Sequence, residues 1–206
     1  DLSSEWASAT RIGIEAIEPA VAGGAFPAKT EIGRPVIIKA DVIFDGHDLL
    51  AADLLWRPAD QATWVRHPMR LDVNDRWMAT VVPDRTGLYE FAVEAWWDQW
   101  GSLIHDLKAK QAAGQDVSLE LEEARQVLRQ ASRQGCGALL RRLGTEPAVE
   151  AMTSSETMAE MRDLAGRPFA SRSSVHTVRA DRPAAAFASW YELFPRSATH
   201  DPKVHG

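Results

Sequence analysis

A single cysteine, no basic excess and no long apolar run set the first bounds on this chain. One thiol, Cys136, excludes an internal disulfide framework and a Cys-rich metal centre, and it suits a reducing compartment. A formal charge of −6 provides no basic stripe of the kind that releases counterions from a phosphate backbone, so nucleic acid is not expected as a partner. No apolar stretch approaches the roughly 20 residues that cross a bilayer. The residues from Asp1 onward show neither the basic nor the apolar region of a secretory leader. A cytoplasmic protein with no membrane partner is expected. Glycine-rich phosphate loops and Ser-centred nucleophile elbows are missing too.

What is present is the make-up of a globular chain. Its 206 residues, 45% hydrophobic and 25% charged, suffice for one large domain or two small ones. The first hundred read as short strands joined by turn signals. In Val36 to Phe44 the positions 36, 38, 40, 42 and 44 form one apolar face and Lys39 and Asp41 fall opposite, with Asp45-Gly46 as a turn. Tyr89, Phe91, Val93, Ala95 and Trp97 share a face in the same way, against Glu90 and Glu94. Further strands are expected over Ile12 to Ile17, Ala52 to Arg57, Met69 to Val73 and Trp77 to Val82.

Near Asp98 the period changes. Trp97, Trp100, Ile104 and Leu107 form a helical stripe that Gly114 ends. A second helix is signalled by Glu120, Glu122 and Glu123 in its first turn, where the helix dipole favours carboxylates, with a seam of Leu121, Ala124, Leu128 and Ala131. A shorter helical piece follows over Ala138 to Leu143. Thr153 with Glu156 reads as a capping box opening another helix through Met158 and Met161, closed by Gly166 and Pro168. Extended character returns over Val175 to Arg179 and Ala186 to Phe194.

The expected fold class is α+β: an immunoglobulin-like antiparallel β-sandwich over 10–97 and 171–197, interrupted by an inserted α-helical bundle over 98–170, with a tail over 198–206. Two consecutive domains with a detached terminal hairpin is the alternative. An isolated hairpin is only marginally stable, which favours the insert.

No residue is expected to be catalytic, and no cofactor or metal is expected. His47, His67, His105, His176, His200 and His205 miss the spacings of a zinc site. Asp41, Asp45 and Asp48 lack the ligand alternation and distal Glu of a calcium loop. Cys136, between Gly135 and Gly137, has no neighbouring base to activate it. The eight tryptophans are the remaining candidates, because a flat exposed indole can stack on a sugar ring while a buried one fills a core. Trp56, Trp64, Trp77 and Trp96 are the possible sugar-stacking residues. Trp96 lies opposite the apolar face of its strand, so it is either exposed or covered by another domain; Trp97 and Trp100 are assigned to the joint between strand and helix. Arg196 and Asp201 belong to a tail that is solvated by default and could pair with a neighbouring domain.

The aromatic run Trp190-Tyr191-Glu192-Leu193-Phe194-Pro195-Arg196-Ser197 has only nine residues after it and needs a finished core beneath it. A cut polypeptide is the expectation. Several stretches together point the same way: Arg11-Ile12-Gly13-Ile14-Glu15 leading to Pro19, Gly23 to Lys29, and Val42-Ile43-Phe44-Asp45-Gly46-His47-Asp48. The order continues with Gly87-Leu88-Tyr89-Glu90-Phe91, Ala95-Trp96-Trp97-Asp98, Ala113 to Val117 and the run Trp190 to Ser197. In this order they resemble the N-terminal region of the bacterial maltosyltransferases that extend α-1,4-glucans from α-maltose 1-phosphate, members of the amylase-like glycoside hydrolase clan. The resemblance implies a sandwich with a helical insert preceding a catalytic barrel that would hold the nucleophilic Asp, the acid/base Glu and the phosphate ligands. It also implies a homodimer, a role in domain packing and subunit assembly, and contacts to the barrel through Trp190, Tyr191, Phe194 and Arg196. The competing reading is a glucan-binding module of an amylase-like glycoside hydrolase; an independent hydrolase is a third.

Overall fold

The computed structural model describes residues 12–46, 48–133, 137–144 and 149–183. Among these the fold is mixed α/β, mostly sheet, with five α-helices between the eighth and ninth strands. The expected strand Ala186 to Phe194, the barrel-contact residues Trp190, Tyr191, Phe194 and Arg196, the tail 198–206, and Cys136, His47, His200, His205 and Asp201 lie outside the described residues.

Alternation accounts for the strands. In β3 (Val36–Ile43) the even positions are buried and the odd ones face outward. It pairs antiparallel with β1 (Gly13–Glu18) on one side and β7 (Arg76–Val81) on the other, giving a four-stranded sheet in the order β1-β3-β7-β6, where β6 is Arg70–Leu71. The second sheet runs β2-β10-β8-β4-β5, with β2 at Ala28–Glu31, β4 at Leu50–Pro58, β5 at Val65–Pro68, β8 at Gly87–Trp97 and β10 at His176–Asp181; β9 (Ser171–Arg172) also pairs with β8. The inner faces meet in one apolar cluster. Ile38, Val42 and Ala79 come from the first sheet and Leu54, Phe91, Val93 and Val178 from the second. A run of this kind, removed from water at roughly 25 cal/mol per Å², is the main favourable term holding the sheets together.

Two details depart from the sequence expectation. The sheets are not wholly antiparallel: β10 runs antiparallel to β8 but parallel to β2, whose register pairs Val178 with Ala28. The free edge of β10 carries donors and acceptors that must be paired, and β2 supplies them. The strand expected over Met69 to Val73 is divided instead. Pro68 has no N–H to continue a ladder, so β5 stays with β4, β6 joins β7, and Met69 is buried between the sheets with its N–H donated to Ala52 O at 2.9 Å.

The helices form a second apolar cluster. Helix α1 (Gln99–Ala112) starts where Asp98 Oδ1 accepts the Gly101 N–H at 2.9 Å, so β8 runs directly into it. Its Trp100, Ile104 and Leu107 pack with Ala124, Leu128 and Ala131 of α2 (Ser118–Arg133), with Leu139 of α3 (Gly137–Leu143), Met152 of α4 (Val149–Met152) and Met161 of α5 (Ser155–Leu164). The expected capping box is displaced by one residue. Ser154, not Thr153, is extended at ψ 149° and accepts the Thr157 N–H at 3.2 Å. Thr153 instead donates its hydroxyl to Glu150 O, closing α4.

Candidate functional site

The outward side of the second sheet is where helices and strands meet. Alternation sends Asp53, Leu55 and Arg57 of β4 and Glu90, Ala92, Glu94 and Trp96 of β8 to that side, in register Asp53 with Glu94 and Arg57 with Glu90. Asp53 is only 1% exposed, which an ionised carboxylate tolerates when it is fully paired. Arg162 of α5 reaches its Oδ1 at 2.7 Å and Arg167, just beyond α5, its Oδ2 at 3.1 Å, while Arg66 of β5 lies at 3.4 Å. Arg167 and Arg66 also bind Glu94, at 2.9 and 2.5 Å. Burial works to raise the Glu94 carboxyl, and the two guanidiniums outweigh it and hold it below the usual range. This clamp ties the helices to the sheet.

The clamp also covers Trp96. Arg167 and Arg162 lie over its ring at 4.3 and 5.0 Å and the indole is 1% exposed, so it offers no face to a sugar. Trp56 is likewise enclosed, 6% exposed and stacked on Tyr89 at 4.8 Å. These two of the four expected stacking residues are therefore core and junction residues; two-residue periodicity places a side chain on a face but does not say what docks on that face. Trp77 is half buried against the shared core. Trp64 is half buried beneath the guanidiniums of Arg57 and Arg172, at 4.1 and 4.9 Å. The structure does not bring these four indoles into one site.

It opens a cleft elsewhere. Trp97, one position past Trp96 and hence on the other face of β8, lines a cleft of about 400 Å³ with Asp48, Gln99, Ser102, Leu103 and Asp106 on one side. Glu123, Gln126, Val127 and Gln130 of α2 complete it. The helical spacing explains the set: 99, 102, 103 and 106 share one face of α1, and 123, 126, 127 and 130 share one face of α2. Each face lies beside the apolar seam that brings the two helices together.

Ser102, 8% exposed, anchors the cleft. Its Oγ accepts the Leu49 N–H at 2.9 Å and the Trp97 Nε1–H at 3.2 Å, which fixes the indole plane. Both acceptor positions of the oxygen are thus used. Phe169 lies against Trp97 with ring centroids 6.1 Å apart and is 51% exposed. Its φ is +56°, a conformation that bulky residues rarely adopt. The cleft was legible as two polar helix faces, but nothing in the spacing showed that they would lie side by side under Trp97. Phe169 gave no sequence signal at all.

Residues 10–182 match the family model described as α-1,4-glucan:maltose-1-phosphate maltosyltransferase, domain N/S. A maltosyltransferase of that name from Burkholderia pseudomallei is 40% identical over 210 residues, covering 95% of this chain and 18% of its own length. Those of Pseudomonas aeruginosa and Chlorobaculum tepidum are 36% and 33% identical, each over 95% of this chain and 31% of their own length. The chain thus spans less than a third of each of these relatives. It belongs to the α-1,4-glucan:maltose-1-phosphate maltosyltransferase family, as domain N/S.

Proposed function

We propose that this chain is the non-catalytic N-terminal part of a cytoplasmic glycosyltransferase that moves maltosyl units from α-maltose 1-phosphate to α-1,4-glucans, and that it serves in domain packing and homodimer assembly. The observation that carries this reading is the match of residues 10–182 to domain N/S within less than a third of each relative's length, and the carboxylates agree with it. A retaining glycosyl transfer needs two carboxyl groups about 5 Å apart, one of them raised so that it can act as an acid at neutral pH. Among the described residues, every carboxyl displaced from its usual value, Asp60, Asp84, Glu94, Asp116 and Glu120, is displaced downward. The buried pair Asp53 and Glu120 are both held in ion pairs, Glu120 by Lys110. Such groups hold a structure together.

The fold reading is an immunoglobulin-like sandwich over 10–97 and 171–197 with a helical insert over 98–170, preceding the catalytic barrel of the parent. Strand order supports it: one sheet reads β1-β3-β7-β6, and in the other β10 and β8, which lie on either side of the insert, are neighbours, with β4 next to β8. Tyr89 adds a corner of the same kind. Its hydroxyl donates to Asp84 Oδ1 at 2.6 Å and accepts the Arg85 N–H at 3.1 Å, four residues upstream.

The test is to incubate the purified chain, and separately its full-length parent, with α-maltose 1-phosphate and maltoheptaose, following phosphate release and chain length. The parent should release phosphate and add maltosyl units with retention; the chain alone should do neither. Phosphate release by the chain alone overturns the non-catalytic role, and a monomeric parent in sedimentation overturns the assembly role.

A further inference from the structure

We propose that the cleft between α1 and α2 is a binding site for a short segment of neutral α-1,4-glucan, with a glucosyl ring lying on the Trp97 indole. The inference rests on the glucan-handling parent proposed above and assigns the contact to this chain's own residues.

Size and chemistry point to one ligand class. At about 400 Å³ the cleft falls within the range of small-molecule sites, which combine an aromatic or apolar wall with a few placed polar groups. Its lining holds three carboxylates, Asp48, Asp106 and Glu123, three amides and no lysine or arginine. Such a field repels phosphate, so the sugar-phosphate donor does not fit. Nor does the lining offer a metal centre, since no group of three His, Cys, Asp or Glu among the described residues is placed to hold an ion.

A neutral polyol satisfies what remains. Each sugar hydroxyl can both donate and accept. The carboxylates accept hydrogen bonds from it, and the Gln99, Gln126 and Gln130 amides can donate or accept.

The aromatic wall is prepared in advance. Trp97 is held from below by Ser102, and its backbone N–H is donated to Pro168 O at 3.1 Å. Phe169, next in the chain, is held at positive φ against Trp97 and is exposed. Strained residues of this kind persist where the surroundings over-determine them, and they gather at ligand clamps. Fixing the platform before the ligand arrives lowers the ordering cost of binding.

The experiment is calorimetric titration of the whole chain with maltoheptaose, with tryptophan fluorescence read in parallel. Millimolar binding with a change in indole emission is expected. Asp106→Asn combined with Glu123→Gln, both at exposed positions, should weaken it about tenfold, equivalent to roughly 1.4 kcal/mol. Trp97→Ala should abolish it, with circular dichroism confirming that the variant is folded; if that variant does not fold, the Asp106/Glu123 pair alone decides. Trp64→Ala, remote from the cleft, should leave binding unchanged.

Absence of heat and of any fluorescence change at millimolar sugar overturns the site, as does binding that survives the Asp106/Glu123 substitutions or disappears with Trp64→Ala. The two proposals fail separately. A parent that transfers maltosyl units while this chain binds no glucan sinks the cleft and leaves the function standing. A chain that binds maltoheptaose through Trp97 while its parent transfers nothing does the reverse.

Discussion

His176 shows how much a single buried group can report. It sits on β10 with its ring stacked on Phe91 at 5.4 Å, and its Nδ1 has no hydrogen-bond partner among the described residues. Gly24 presses on the other part of the ring: a Cβ there would lie 2.8 Å from His176 Nδ1, so only glycine, at φ +92°, can pass so close. Burial pushes the imidazole below its ordinary value, which favours the neutral ring in the native state. The unfolded chain binds a proton more readily than the native one, so stability rises with pH in this window. The contribution is complete above the ordinary imidazole value and is lost as pH falls through it toward the depressed native value. Urea midpoints should accordingly fall between about pH 7 and pH 5, and His176→Gln should flatten that part of the profile. An unchanged slope in the variant would show that another group titrates. Glu94, held low by its arginines, acts in the same direction but only at more acid pH.

Among the elements, α5 offers the cleanest test, because the sequence pattern and the structure choose different caps. The pattern Thr153 with Glu156 matches a capping box, yet Ser154 makes the bond to Thr157 N–H. Ser154 Oγ also donates to Ala151 O at 3.0 Å, and buried Thr157 donates to the same carbonyl at 2.8 Å, so the cap joins α4 to α5. Loss of an N-cap hydroxyl costs about 1 kcal/mol. Ser154→Ala should show that loss in denaturant titration and Thr153→Ala much less; equal effects would return the cap to Thr153. Local patterning could not separate the two, since both residues are hydroxylic and one position apart. It did succeed at β3, α1 and α2, where a regular apolar spacing runs for two turns or more and only one face can be buried.

At the scale of the whole molecule, the arginine clamp decides how the helical cluster sits on the sheet. Removing one member of a buried ion pair leaves the others uncompensated, which typically costs about 3–5 kcal/mol; exposed pairs are worth about 1 kcal/mol or less. Asp53→Ala leaves Arg162 without a carboxylate partner and Arg167 and Arg66 sharing Glu94 alone, and should fall in the first class, whereas Arg66→Ala, removing a partner that is 42% exposed, should fall near the second. Hydrogen exchange should sharpen the contrast. In Arg162→Ala with Arg167→Ala, amides over 99–164 should exchange faster while those of β3 and β7 in the other sheet keep their protection. Uniform loss across both regions would mean that the clamp stabilises the molecule globally and does not specifically seat the helices.

The sequence by itself determined the repeating features: which residues of β3 and β8 face inward, where β8 becomes α1, and the seam of α2. Each depends on a period of two or of 3.6 residues, which the chain encodes locally. Tertiary structure alone decided what covers each face at the end of β8. Trp96 and Trp97 are neighbours with the same side chain, yet Trp96 is sealed beneath Arg162 and Arg167 while Trp97 lines an open cleft. That difference comes from residues 65 or more positions away in the sequence for Trp96, and from α2 packing beside α1 for Trp97. Burial of a face is set by what docks on it, and docking is a long-range event that no local period records.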